Sequence, residues 1–159
     1  MLVRRLLKFL HSLGAAGLTG GLAALAIVIL LAPGAAATGG YGALQAVMAK
    51  IAAWIIGPSM LLTVLSGLLA IAVNPAFHEA AWVWAKAASG VLILEGCLHV
   101  MGPIGEDAKR GAGALAGGDP GDVARLLSAE GNTLWVLLAV SAANIALGVW
   151  RPRMPKIPV

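Results

Sequence analysis

Residues 51–73 read IAAWIIGPSMLLTVLSGLLAIAV, a stretch without one charged side chain. As a helix it extends roughly 34 Å, enough to cross the ~30 Å hydrocarbon core of a bilayer. Three other stretches resemble it. Residues 10–31 carry His11 as their only titratable group, residues 80–101 carry Lys86 and Glu95, and residues 133–150 carry no charge. The runs are rich in Ala, Leu and Gly and do not alternate, which argues against the strands of a membrane barrel. The sequence therefore predicts an all-α fold, a four-helix transmembrane bundle, as a single domain over residues 1–159.

Composition agrees. The chain of 159 residues is 60% hydrophobic and 11% charged, with a mean hydropathy of +0.91. Soluble domains carry about 25% charged residues. Too little polar surface is present for a soluble enzyme, a nucleic-acid binder or a disordered chain. The single cysteine, Cys97, excludes an intramolecular disulfide.

Residues 32–46, APGAAATGGYGALQA, read as a Gly-rich loop. Asn74-Pro75 stops the second helix. Residues 102–132 form a long polar loop, within which Asp119-Pro120-Gly121-Asp122 signals the start of a short interfacial helix ending at Gly131-Asn132. Arg4, Arg5 and Lys8, an apolar run and Ala35-Ala36-Ala37 look like a signal peptide. The run is longer than the 7–15 residues of a signal core, so it is read as a retained first span. Arg4, Arg5 and Lys8 at one end and Arg151, Arg153 and Lys156 at the other mark both termini as cytoplasmic. The long loop has five carboxylates, Glu106, Asp107, Asp119, Asp122 and Glu130, against Lys109, Arg110 and Arg125, and belongs outside. The expected location is a bacterial-type inner membrane.

Polar groups inside a bilayer are costly and call for a reason. This topology puts His11, Ser66, Lys86 and Asn144, one from each helix, in the cytoplasmic leaflet. Thr63, Ser66, Gly67, Ala70 and Asn74 share one helix face, as do Ser141, Asn144 and Gly148. Gly14, Gly17, Gly20 and Gly21 include a GxxxG pair. Packing accounts for such small residues. An imidazole and an ammonium at one level suit a ligand with an electrophilic centre and an anionic edge, such as haem b or a porphyrin. Towards the outer leaflet, Glu95 and His99 stand at i, i+4, and Lys50 lies at the same level. A structural Lys50–Glu95 ion pair is expected there. Cys97, His99 and Met101 offer soft ligands for copper. Lys86 and Glu95, nine residues apart, face opposite ways on one helix, so one of them faces a neighbouring subunit or a second side of the bundle.

The stretches LLKFLHSLGAAGLTGG (6–21), PSMLLTVLSGLLAI (58–71) and WVWAKAASGVLI (82–93) resemble a superfamily of small membrane bundles. It includes the copper-resistance D domain, the HemJ-type protoporphyrinogen oxidases and a branch of predicted integral membrane proteins without assigned activity. The resemblance implies that His11 matches the first-helix histidine and Lys86 the third-helix lysine, positions associated with haem or porphyrin handling in HemJ-type members. The Trp and Tyr-x-Pro-Arg elements of those members are missing here, and the chain is most similar to the branch without assigned activity.

The expected function is a polytopic inner-membrane protein with a haem- or porphyrin-binding site at His11, Lys86, Ser66 and Asn144. A copper-handling, permease-like protein and a structural membrane subunit are the alternatives. The expected partners are the lipid bilayer and a homo-oligomer or membrane-complex partner, without nucleic acid. No nucleotide-loop, triad, dinucleotide or zinc spacing occurs, and no catalytic residue is assigned. Reporter fusions at Gly118 and at the C-terminus should give opposite topology readouts. Matching readouts would overturn the arrangement.

Overall fold

The structure, a computed structural model, describes residues 2–37, 41–110 and 120–150. The basic C-terminal tail and residues 111–119 of the long loop lie outside the described residues. The elements are α1 (Leu2–Ala37), α2 (Tyr41–Ile51), a π-helical turn (Ala52–Ile56), α3 (Gly57–Val73), a 3-10 turn (Pro75–Phe77), α4 (Ala81–Arg110) and α5 (Pro120–Trp150). Four helical segments are long and apolar enough to cross a membrane: Leu2–Leu31, Ala43–Val73, Ala81–Gly102 and Gly131–Trp150. The chain has the build of a multi-pass membrane protein.

Three boundaries differ from the sequence reading. The 32–46 loop is a correction: α1 runs on to Ala37 and α2 begins at Tyr41. Alanines at 32, 35, 36, 37, 43 and 46 are strong helix formers and outweigh the neighbouring glycines. The separate interfacial helix is a second correction. A helix does begin at Pro120, but it passes through Gly131-Asn132 into the fourth span without a break. Gly131 sits against α1, where a Cβ would stand 3.6 Å from Ile29 Cγ2. Packing there carries the helix across a residue that otherwise favours a stop. Thirdly, α4 reaches Arg110, well past the expected end.

The π turn has a sequence cause. Pro58 lacks an N–H and its ring would collide with the carbonyl four residues back in a regular helix. The ladder widens just before it, with the Gly57 N–H donating to Ala52 O. The bulge drives Ile56 fully into the core.

Helix α1 is the central element. It packs along α3, along α5, and against α2 and the π turn, while α4 packs on α5 and α2. Where α1 meets α3, the glycines of α1 set the distance. A Cβ on Gly14 would stand 2.8 Å from Thr63 N and 2.9 Å from Ser59 O. One on Gly17 would overlap Ser59 Oγ, and one on Gly21 would stand 2.7 Å from Ile56 Cγ1. Gly20 meets nothing within 4 Å. Lipid tails are as apolar as leucine, so helices in a bilayer associate by such close packing rather than by escape from water.

The hydrophobic cluster fills one half of the bundle. Leu18, Leu22, Leu25, Ile29, Met48, Ile56, Ile93, Cys97, Val100, Ile104, Leu134 and Leu137 form it. In the other half, built from the start of α1 and α4 and the end of α3 and α5, only Leu7 and Val83 are buried hydrophobics among the described residues. There α3 and α4, although joined by a short turn, make few contacts with each other.

Gly17→Leu should lower the stability of the detergent-solubilised bundle by about 1–3 kcal/mol through overpacking. Gly20→Leu, on an open face, should leave the melting temperature nearly unchanged. Equal effects in thermal unfolding followed by circular dichroism would refute the close α1–α3 contact.

Candidate functional site

Two polar clasps occupy the half of the bundle that lacks the hydrophobic cluster. The first joins α1 to α3. His11 Nδ1 lies 2.9 Å from Thr63 O. A carbonyl only accepts, so Nδ1 carries the proton and donates it. Nε2 is then left with its lone pair, the tautomer that ligating histidines adopt when the other ring nitrogen holds a carbonyl. Ser66 Oγ stands 3.4 Å from the same Nδ1 and donates within its own helix to Leu62 O. The ring can lie this close because Gly67 has no side chain; a Cβ there would be 3.2 Å from His11 Cε1. Thr63 Oγ1 donates to Ser59 O at 2.7 Å, so this hydroxyl too is satisfied inside the helix.

The second clasp joins α4 to α5 and is reciprocal. Lys86 Nζ donates to Asn144 O at 3.1 Å, and Asn144 Nδ2 donates back to Lys86 O at 3.2 Å. Asn144 Nδ2 also donates to Ser89 Oγ at 2.7 Å, while Ser89 Oγ donates to Lys86 O at 3.0 Å. Gly148 makes room for the ammonium: a Cβ there would be 2.7 Å from Nζ. An ammonium has three N–H donors, and one of them is used here. The His11 and Lys86 side chains are both half-buried.

All four residues singled out from the sequence thus lie at one end of the bundle, as two pairs. His11 is joined with Ser66, and Lys86 with Asn144. Sequence reasoning missed Ser89, whose hydroxyl completes the second clasp; its i, i+3 spacing from Lys86 was the available signal. It also passed over Ser141 as a site residue. Ser141 is buried, with its Oγ lacking a hydrogen-bond partner, one turn from Asn144 on the same stripe. An orphaned buried hydroxyl costs about 1–3 kcal/mol and calls for a reason. Ala143, Ala146, Leu147 and Trp150 form an apolar face of α5 beside this end.

The outer set is not assembled. Lys50 and Glu95 are both exposed and form no ion pair, so the expected pairing is corrected. Cys97 is buried in the hydrophobic cluster and Met101 packs against that cluster, whereas His99 is exposed. Two residues apart on a helix, Cys97 and His99 face different ways, and no group of three His, Cys, Asp or Glu converges among the described residues.

Comparison of the chain with protein-family models, with curated proteins and with solved structures finds no match.

Asn144→Leu should cost about 1–2 kcal/mol, because it strips bonds from Lys86 O and Ser89 Oγ in a site without bulk water. Lys86→Met should cost roughly 0.6–1.7 kcal/mol in its own right, and the two losses should be nearly additive, because each side chain bonds the other's main-chain carbonyl, which both variants keep. Stability unchanged in both variants would mean the clasp is not formed.

Proposed function

We propose that this chain is a ligand-binding protein of a bacterial-type inner membrane, with both termini cytoplasmic. It holds haem b or a porphyrin in the cytoplasmic leaflet. The observation that supports this reading is the state of His11. Thr63 O fixes its Nδ1–H, Gly67 admits its ring, and Nε2 keeps the lone pair that a metal would take.

The remaining groups fit the same ligand. Lys86 has spare N–H donors at the same end of the bundle, suited to a propionate. Ser141 supplies a buried hydroxyl without a protein partner. This end buries few hydrophobic side chains, in contrast to the opposite half. When bound, haem would contribute a redox-active iron with one protein ligand, His11. The chain's own residues orient that ligand, neutralise the anionic edge and bring the group into lipid. The resemblance of residues 6–21 and 82–93 to the superfamily of HemJ-type and copper-resistance D bundles supports the same pair, His11 and Lys86.

The test is absorbance of the purified protein, as isolated and after titration with haemin. A Soret band is expected that His11→Ala abolishes with helix content unchanged by circular dichroism. Lys86→Met should weaken binding while keeping the band position. Ser141→Ala should raise the melting temperature of the unloaded protein, by removing an orphaned hydroxyl, and lower haemin affinity. No band, or a band that survives His11→Ala, would overturn the proposal.

A further inference from the structure

The exposed face of α4 carries two ionisable groups that this bundle does not use. Glu95 and His99 are both exposed, sit one turn apart, and make no hydrogen bond or ion pair among the described residues. The apolar part of α4 ends at Gly102, which puts Glu95 roughly 10 Å inside the hydrocarbon slab. A glutamate has two methylenes and cannot reach the interface from that depth, unlike lysine with its four-carbon stem. Ionisable residues within spanning helices face a protein interior or a water-filled cavity, not lipid. In this chain alone Glu95 faces neither.

The surrounding pattern gives the kind of surface. Trp84, Ala88, Val91, Glu95, Leu98 and Gly102 are all exposed and follow alternating steps of four and three residues. That is the 3.5-residue repeat by which one helix runs along another in a left-handed pair. Small residues at Ala88 and Gly102 permit close approach, as at helix contacts in lipid. A single polar residue on such a seam sets its register.

We propose that α4 is the contact between two copies of this chain, related by a two-fold axis along the membrane normal. The occupant follows from charge complementarity. The exposed face carries a carboxylic acid on the stripe and an imidazole, His99, at its edge one turn further on, so a second copy of the same face supplies a partner for both. Glu95 of one protomer meets the partner's His99, and the arrangement occurs twice, as an isologous contact requires. The axis keeps the two α4 helices parallel and their acids at one depth. Because Lys86 points to α5 from the opposite side of α4, the contact leaves the His11 and Lys86 site untouched. The assembly therefore stands or falls independently of what that site binds.

The experiment uses the full chain in liposomes. Single-molecule photobleaching at decreasing protein-to-lipid ratio reads the fraction of dimers. Dimers are expected for the native sequence, with Glu95→Ala weakening association roughly tenfold at unchanged helix content, the loss expected when the symmetric pair gives up both of its modest interhelical polar contacts. The exchange Glu95→His with His99→Glu should restore it. A milder pair of variants guards against misfolding: Val91→Cys on the proposed contact and Val136→Cys on the exposed face of α5. A bifunctional maleimide should join Val91→Cys copies and leave Val136→Cys copies single. Monomers at every density, equal cross-linking of the two variants, or cross-links in native membranes only to a different polypeptide would overturn the proposal.

Discussion

The structure depends on how closely α1 approaches α3. Water drives soluble helices together by excluding apolar surface, but a bilayer offers no such gain. Contact must come from dispersion between backbones that come near, and only glycine allows that at Gly14, Gly17 and Gly21. The approach has a chemical consequence. It brings the His11 ring within hydrogen-bonding distance of a main-chain carbonyl on α3, at a point where Gly67 again removes a side chain from the way. The same packing that holds the bundle together thus fixes an imidazole tautomer.

A second constraint is that polar groups in lipid need partners within the protein. Thr19, Thr63 and Ser66 meet it inside their own helices, each donating to a carbonyl four residues back. Lys86 and Asn144 meet it between helices, each donating to the other's carbonyl. Carbonyl oxygens have two lone pairs, so these bonds add to the helical ladder rather than replace it. Ser141 Oγ and the exposed Glu95 and His99 stand outside this economy of partners. One lies at the inner site and the others on the outer face of α4, which is why the two proposals concern different surfaces.

The polar end and the hydrophobic cluster also divide the bundle by role. The cluster is built around the π turn, where Pro58 forces a wider ladder and turns Ile56 inward. At the opposite end the helices leave the cluster as two pairs, α1 with α3 and α4 with α5, with α1–α5 contacts linking them. Half-buried polar residues line that end in place of leucine and isoleucine.

The sequence by itself determined the number of spans, their helical nature and the level of the polar groups. These depend on run length, charge absence and residue counting, which are properties of one segment at a time. His11, Ser66, Lys86 and Asn144 were legible for that reason, because each interrupts an apolar run. Only the tertiary structure decided which of them meet. Ser66 goes with His11 and Asn144 with Lys86, and Lys50 does not reach Glu95, because partner choice depends on the rotation of each helix about its axis. That rotation is set by where glycines admit a neighbour, not by spacing along one chain segment. Helix ends were misread in the same way at residues 32–46 and at Gly131: a local breaker signal weighs a kcal/mol or less, and alanine-rich flanks or a packed crossing outweigh it.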